Sequence, residues 1–444
     1  MTTNYGACLP GRAFFCADES LFSAHECPVS LIESLLREHL SVRIPALSFP
    51  LVLTRPIRLN SGMHLSIHEH TVLRMAEGCG GCMVRNANVL SGIEGPIPDV
   101  PRDHDIIIEG GQWEHAPRTG SANDDHPAMQ EFARKNIILG VAFFSHAERV
   151  TVRGMTIRRS DQYGVLFADC RDFLVEHIFY DRHNKDGVHV NGPASHGLIQ
   201  HMRGWCGDDF VALNAWDWDT SALSFGPIRD VSVRHIECEH DEMRLLPGRK
   251  TYPDGTKLDC PVESCRFSDI SGAYNFKMYQ QPNCHNLHRE RKDFSDIAGL
   301  ITDVVFSDIR LLSLVAEGLA EVQLDALFEM GADCEKITFE NLQLGFTTEE
   351  FRQKGMSVAI IGPKSSTWTQ GHADPAEWTE LFEPDLICTA DGITFRNISF
   401  AGEVCTDRDT LLREQHLAPN PDYPRTTPKG GTGYGVIRRL VIEA

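Results

Sequence analysis

The sequence predicts an all-β chain wound as a single-stranded, right-handed parallel β-helix with a capping helix at its N-terminus, and three observations carry that prediction. The first is a recurring phrase, apolar-x-apolar-x-x-apolar-x-apolar, which reads Val150/Val152/Met155/Ile157, Phe173/Val175/Ile178/Tyr180 and Val231/Val233/Ile236/Cys238. It returns as Val304/Phe306/Ile309/Leu311, Ile337/Phe339/Leu342/Leu344 and Ile393/Phe395/Ile398/Phe400. The second is its period, 23 residues from Val152 to Val175 and 24 from Val175 to Ile199, the length of one coil in a stacked solenoid. The third is what lies between phrases: turns rich in Gly, Asp, Asn and Ser, with neither a leucine-rich consensus nor sustained 3.6-residue periodicity.

Within a phrase the period is two and the residues are Val, Ile and Phe, so each phrase is a pair of short strands broken by a two-residue bend. Leu31, Ile32, Leu35, Leu36 and Leu40 instead form one stripe at helical spacing behind Pro28 and Ser30, predicting a helix over 29–40 within an N-terminal cap of residues 1–43. Such a helix would plug the first coil, which otherwise exposes its apolar interior and unpaired strand edges. Ile57/Leu59, Leu65/Ile67 and Val72/Leu73 read as the first rungs of coils running over 44–400, and 401–444 as a last coil and cap. Later intervals of 34, 34 and 39 residues place loop insertions at 214–226, 247–262 and 280–298, and a stretch rich in Pro, Gly and charge adds a fourth at 362–386, all within a single domain.

A formal net charge of −20 argues against nucleic acid or an anionic membrane as a partner, since both demand a basic face, and no run of 18 apolar residues occurs. The N-terminus has no basic stretch followed by an apolar one, and the 14 cysteines lack regular spacing, so the expectation is a cytoplasmic protein with small buried thiols. Cys79-Gly-Gly-Cys82 has no partner pair at zinc-finger spacing and reads as a tight turn before it reads as a metal or redox site. No cofactor and no metal are expected, and oligomeric state is not encoded in any pattern here.

The chemistry is concentrated in Asn184-Lys185-Asp186-Gly187 and, 22 residues from Asp186, Asp208 within Gly207-Asp208-Asp209-Phe210. Coil on coil, Asp186 and Asp208 are expected in one column, ~4.8 Å apart across neighbouring strands. Two carboxylates that near cannot both ionise comfortably, so one becomes a proton donor while the others activate water. Glycoside hydrolysis divides its labour this way, and carboxyl groups ~6.5–9.5 Å apart signal inversion. Asp208 and Asp209 would face opposite sides of a flat strand, so both serve only if the chain bends at Gly207. The competing reading of any one such Asp is a turn residue that accepts backbone amides.

On these two motifs the chain resembles the polygalacturonase-like glycoside hydrolases of the pectin-lyase-fold superfamily, whose members carry N-T-D-G and G-D-D-C on successive coils. The resemblance implies that Asp208 donates the proton, that Asp186 and Asp209 deprotonate the attacking water, and that the reaction inverts configuration without metal. Where the family has G-H-G this chain has His240-Asp241-Glu242-Met243-Arg244, and where it has R-I-K this chain has Asn275-Phe276-Lys277-Met278-Tyr279. His240, Arg244, Lys277 and Tyr279 are the candidates to stand in for those substrate-binding groups, against the plainer reading of surface side chains.

His189 alternates with Val188 and Val190 and should face outward beside Asp186, within reach of substrate; His183, just before the motif, is a further candidate. Asn214, Trp216 and Trp218 follow the acidic pair in a rim loop whose indoles would stack on sugar faces or pack beneath the loop. The partner expected is a short, plant-derived or uronate-containing oligosaccharide. Two other classes share the fold: polysaccharide lyases that use calcium, and non-catalytic glycan-binding β-helices.

Overall fold

The fold was analysed in a computed structural model, which describes residues 13–115, 123–217, 221–279, 299–313, 326–362, 386–417 and 433–444. Tertiary contacts divide the chain into two compact units, one of Met1–Ala212, Thr220–Phe225 and Asp230–Asp241, the other of Leu213–Asp219, Gly226–Arg229 and Glu242–Ala444. Both are built from parallel strands paired one coil apart, which makes the architecture a parallel β-helix. Crossovers between parallel strands are right-handed as a rule.

In the first unit Val150 pairs with Phe173 and Val152 with Val175, and these continue to Gly197 and Ile199. The 24-residue interval contains a register shift between Ala168 and Cys170, which accounts for the extra residue. The bend inside each phrase is one residue in the left-handed region. It falls on Gly154, His177, His201 and His235 here, and on Asp269, Asp308, Asn341 and Asn397 in the second unit. Asn, Asp and Gly tolerate that conformation best, so a polar residue after the second apolar position of each phrase is what turns the corner. The corners stack as ladders: the imidazoles of His177, His201 and His235 lie nearly parallel, with ring centroids 5.0 and 4.6 Å apart.

The second apolar position of each phrase points inward and builds the core. In the second unit Phe267, Phe306, Phe339 and Phe395 stack with centroids 5.1, 5.5 and 4.9 Å apart, each pair adding ~1 kcal/mol beyond its buried area. The expected insertion at 247–262 folds as an antiparallel hairpin, Gly248–Thr251 against Lys257–Cys260. The insertion expected at 280–298, and all but the ends of that at 362–386, lie outside the described residues.

A helix runs from Pro28 to His39 with Pro28 in its first turn, the position where the missing N–H costs nothing. Val29, Ile32 and Leu36 are fully buried on one face, against Ser41–Ile44, Leu51–Leu53 and Ile57–Leu59. Glu33, on the same face, is satisfied by a bidentate pair with Arg55 at 2.6 and 2.8 Å. A second helix, Pro127–Arg134, was not expected. Its Met129 and Phe132 pack with Val89, Ile93, Phe143, Tyr163, Leu166 and Leu223 into a cluster over the outer face of the first unit's strands. Among the described residues no helix is long and apolar enough to cross a membrane, and no cysteine forms a disulfide. Cys79-Gly-Gly-Cys82 follows a turn closed by Cys79 N–H to Ala76 O and bends at Gly81 (φ 86°), and burial pushes the Cys82 thiol up to about 12.

Candidate active site

Backbone hydrogen bonds fix the register of the acidic motifs. Gly164 N–H donates to Asp186 O and Gly187 N–H to Asp209 O, each at 2.9 Å. In a parallel ladder these bonds align Gly164, Gly187 and Phe210, so the column is Tyr163, Asp186, Asp209. The expected column of Asp186 and Asp208 is therefore one residue out: the coil here is 23 residues long, not 22. Lys185 is the column neighbour of Asp208, and its Nζ donates to Asp208 Oδ2 at 2.6 Å.

The one-residue shift gives the three acids different settings. Asp186 and Asp209 are buried side by side, whereas Asp208 keeps about a quarter of its side chain exposed, as does Lys185. Asp208 sits at the bend before the strand Asp209–Asn214 begins, so the two adjacent acids are released from the alternation of a flat strand. One carboxylate oxygen from each of Asp186, Asp208 and Asp209 lies within 4.8 Å of the others. Oδ1 of Asp186 is buried with no hydrogen-bond partner among the described residues. The glycines of the motif are needed for room. A Cβ on Gly187 would lie 2.6 Å from Phe210 O and 2.9 Å from the Tyr180 ring, and one on Gly164 would lie 2.6 Å from that ring.

Two of the expected substrate contacts are interior groups. His183 is fully buried below the motif and donates from Nε2 to Asp186 O at 2.8 Å; burial holds its imidazole down to about 4, so it is neutral. His189 does face away from Val188 and Val190, but that face is not open. The cluster around Phe132, Tyr163 and Leu223 covers it, Tyr163 stacks on its ring at 4.0 Å, and Nδ1 meets Asp186 Oδ2 at 2.7 Å. His240 is half-buried, at a left-handed kink (φ 81°) within the strand Ile228–Leu246, and the next residue, Asp241, accepts the N–H groups of Cys206 and Glu239 at 2.8 and 3.2 Å.

The remaining candidates belong to the second unit. Trp216 is almost fully buried beneath its loop: its backbone N–H donates to Leu246 O at 3.1 Å, and its indole fills the space a Cβ on Gly248 would need. Packing beneath the loop, not stacking on sugar, is its evident job. Asn214 is buried and donates to Asp217 Oδ2 at 2.6 Å, while Trp218 lies outside the described residues. Arg244, Lys277 and Tyr279 are buried as well, not on the surface. Lys277 makes a short ion pair with Glu242 Oε2, and Tyr274 donates to Glu242 Oε1 at 2.9 Å. Burial alone would raise the Glu242 carboxyl, but the Lys277 ammonium, the Tyr274 hydroxyl and the Arg244 charge together hold it below the usual range. The ammonium expected to grip a substrate acid thus already has a carboxylate.

Lys185, Tyr163, Asn191, Glu242 and Tyr274 were not expected to matter. Lys185 was visible inside the motif, and Asn191 follows His189 at the period of a strand. Glu242 carried no signal, because its partner lies 35 residues away at Lys277.

No protein-family model matches the chain, and no curated protein matches it. Among solved structures, a polygalacturonase from Erwinia carotovora ssp. carotovora aligns over 90% of this chain and 93% of its own, at 13% identity and a TM-score of 0.44. An exopolygalacturonase from Thermotoga maritima aligns over 98% and 92%, at 10% identity and a TM-score of 0.42. The Streptococcus pneumoniae surface protein and adhesin PfbA aligns over 97% and 100%, at 11% identity and a TM-score of 0.39. What the chain shares with them is the parallel β-helix. Such distant likenesses, to enzymes and to an adhesin alike, leave activity and substrate to be read from the residues of the site.

Proposed function

We propose that the chain is a glycoside hydrolase that cleaves a short oligosaccharide, with Asp208 as general acid and Asp186 with Asp209 as the pair that deprotonates water. The observation that supports this most is the meeting of three carboxylate oxygens within 4.8 Å, two of them on buried groups and one on a group open to solvent. In the reaction proposed, water attacks the anomeric carbon as the bond from that carbon to the glycosidic oxygen breaks. The water proton passes to the Asp186/Asp209 pair, and the leaving oxygen takes its proton from Asp208. The one-residue register shift suits this division, because the two acids that share the water are column neighbours and the donor stands apart at the bend. Lys185 Nζ donates to Asp208 Oδ2 and fixes the direction of that carboxyl at the bend.

Inversion is implied by the family resemblance and draws no support from the spacing. Closest oxygens within 4.8 Å fall below the ~6.5–9.5 Å of separated inverting pairs, so the first-formed anomer, read by NMR, decides the stereochemistry. A uronate preference likewise gains nothing from Lys277, which Glu242 already engages.

The test is hydrolysis of a panel of pectic, rhamnogalacturonan, arabinan and neutral gluco-oligosaccharides by the wild type and by Asp208→Asn. Turnover by the wild type, with a loss of ~10²–10⁴-fold and retained binding in the variant, is expected. Equal turnover would reject the assignment. Three acidic oxygens this close also suit a cation, the arrangement a calcium-dependent lyase would use. Loss of activity in chelator together with ultraviolet absorbance from a new double bond would replace hydrolysis with elimination. The reading includes a cytoplasmic setting, which cell fractionation would test.

A further inference from the structure

We propose that His189 is a positioning residue for the water-activating carboxylate of Asp186, locked in one neutral tautomer by a relay that begins at a backbone amide. The inference rests on the hydrolytic reading of the three acids and adds to it a group that does not touch substrate.

The relay can be followed donor by donor. Leu223 N–H donates to Asn191 Oδ1 at 3.1 Å, which settles which end of that side-chain amide is the NH2. The NH2 faces His189 Nε2 at 3.1 Å. An amide NH2 can only donate, so Nε2 must be the acceptor and carries no proton. The ring proton is therefore on Nδ1, which donates to Asp186 Oδ2 at 2.7 Å. Protonating both ring nitrogens would set an N–H of the imidazole against the NH2 of Asn191, so the relay opposes the cation as well as the other tautomer.

The surroundings hold this arrangement still. Asp186, His189 and Asn191 are buried, and Tyr163 stacks on the imidazole with rings 15° from parallel. On the preceding coil its strand neighbour is Leu166, an uncharged residue. Among the described residues, the ionisable groups beside it include Asp186 itself, Asp209 in the column of Asp186, and the phenol of Tyr163. One oxygen of Asp186 is thus committed to His189, and rotation of the carboxylate would break that bond. The other oxygen, Oδ1, has no hydrogen-bond partner among the described residues and is the one left to take the water proton.

Two measurements test this. With 15N-labelled histidine, the wild type is expected to show His189 protonated on Nδ1 alone near neutral pH, a result that needs no substrate. Asn191→Asp puts a carboxylate on Nε2, favours the doubly protonated ring and keeps Asp186 ionised to lower pH. The acid limb of its kcat/KM profile, on whichever oligosaccharide of the panel the wild type cleaves, should move down by ~1 pH unit. His189→Leu should lose ~100-fold in kcat with little change in KM, and His189→Gln, which can still donate to Asp186, should recover most of it. A proton on Nε2, or an unmoved acid limb with wild-type kcat in His189→Leu, would overturn the proposal; should the leucine variant not fold, the tautomer and the Asn191→Asp profile still decide it. If the wild type cleaves nothing in the panel, the hydrolytic reading fails and takes the role with it, while the tautomer still tests the relay by itself.

Discussion

Lys185 and Asp186 are neighbours in sequence and opposites in setting: the lysine reaches outward to Asp208, and the aspartate lies buried beside Asp209 and His189. Among the described residues the Lys277 ammonium is buried and paired with Glu242, and removing one partner of that pair should be costly. Lys277→Met leaves the half-buried Glu242 with Tyr274 and Arg244 to support it among the described residues, and urea denaturation should show a loss of ~3 kcal/mol. A loss near zero would mean that solvent reaches the glutamate freely. His183 makes the complementary case, a neutral group that must not be charged. Its folded-state value, held by burial at about 4, lies below the ordinary ~6.5, so the unfolded chain binds its proton first as pH falls. The stability it contributes is whole above pH ~6.5 and is lost progressively down to pH ~4, on the order of 3 kcal/mol. His183→Gln keeps a donor for Asp186 O and removes the titration, so its stability should fall less steeply over that interval. An unchanged slope would assign the acid sensitivity to other groups.

At the level of elements, the coil is held to its register by the fit of Gly164 and Gly187 over Tyr180. Gly187→Ala should cost ~1–3 kcal/mol through the clash with Phe210 O and the Tyr180 ring, although its backbone conformation is open to alanine. The N-terminal helix is the other element with a clear energetic role: Ile32→Ala removes a fully buried side chain and should cost ~2–5 kcal/mol. If that helix also caps the solenoid, deleting it should expose strand edges and produce concentration-dependent self-association. A monodisperse truncated chain would contradict the capping role. The strands and their mid-phrase bends were legible in the sequence because apolar alternation and a polar corner residue are both local demands. The register of the acids was misread by one because Gly-Asp-Asp offers two carboxylates and no local sign of which one stacks on Asp186. The inward-facing series Val165/Phe167, Val188/Val190, Val211/Leu213 does carry that sign, since its members are 23 residues apart. The fate of His189 was not legible. Whether the outer face of a strand is open depends on Pro127–Arg134 and Leu223, elements distant in sequence that fold back over it.

For the molecule as a whole, a net charge of −20 sets the terms on which a substrate approaches. Polyanionic chains are repelled at long range, while neutral oligosaccharides are not. On a pectic polyanion kcat/KM should therefore rise with added salt, and on a neutral oligosaccharide it should stay flat. The opposite salt dependence would point to a basic binding surface. Twelve of the fourteen cysteines lie in the described residues without a disulfide there, and apolar stacking holds the core. The proposed hydrolysis requires the three acids to act together. The most direct measurement is the turnover of the oligosaccharide panel by the wild type beside Asp186→Asn, Asp208→Asn and Asp209→Asn, each checked for folding. Cleavage by the wild type with a loss of ~10²-fold or more in every variant is the predicted result. Wild-type turnover in any one of them, or cleavage of no glycan by the wild type, would contradict it.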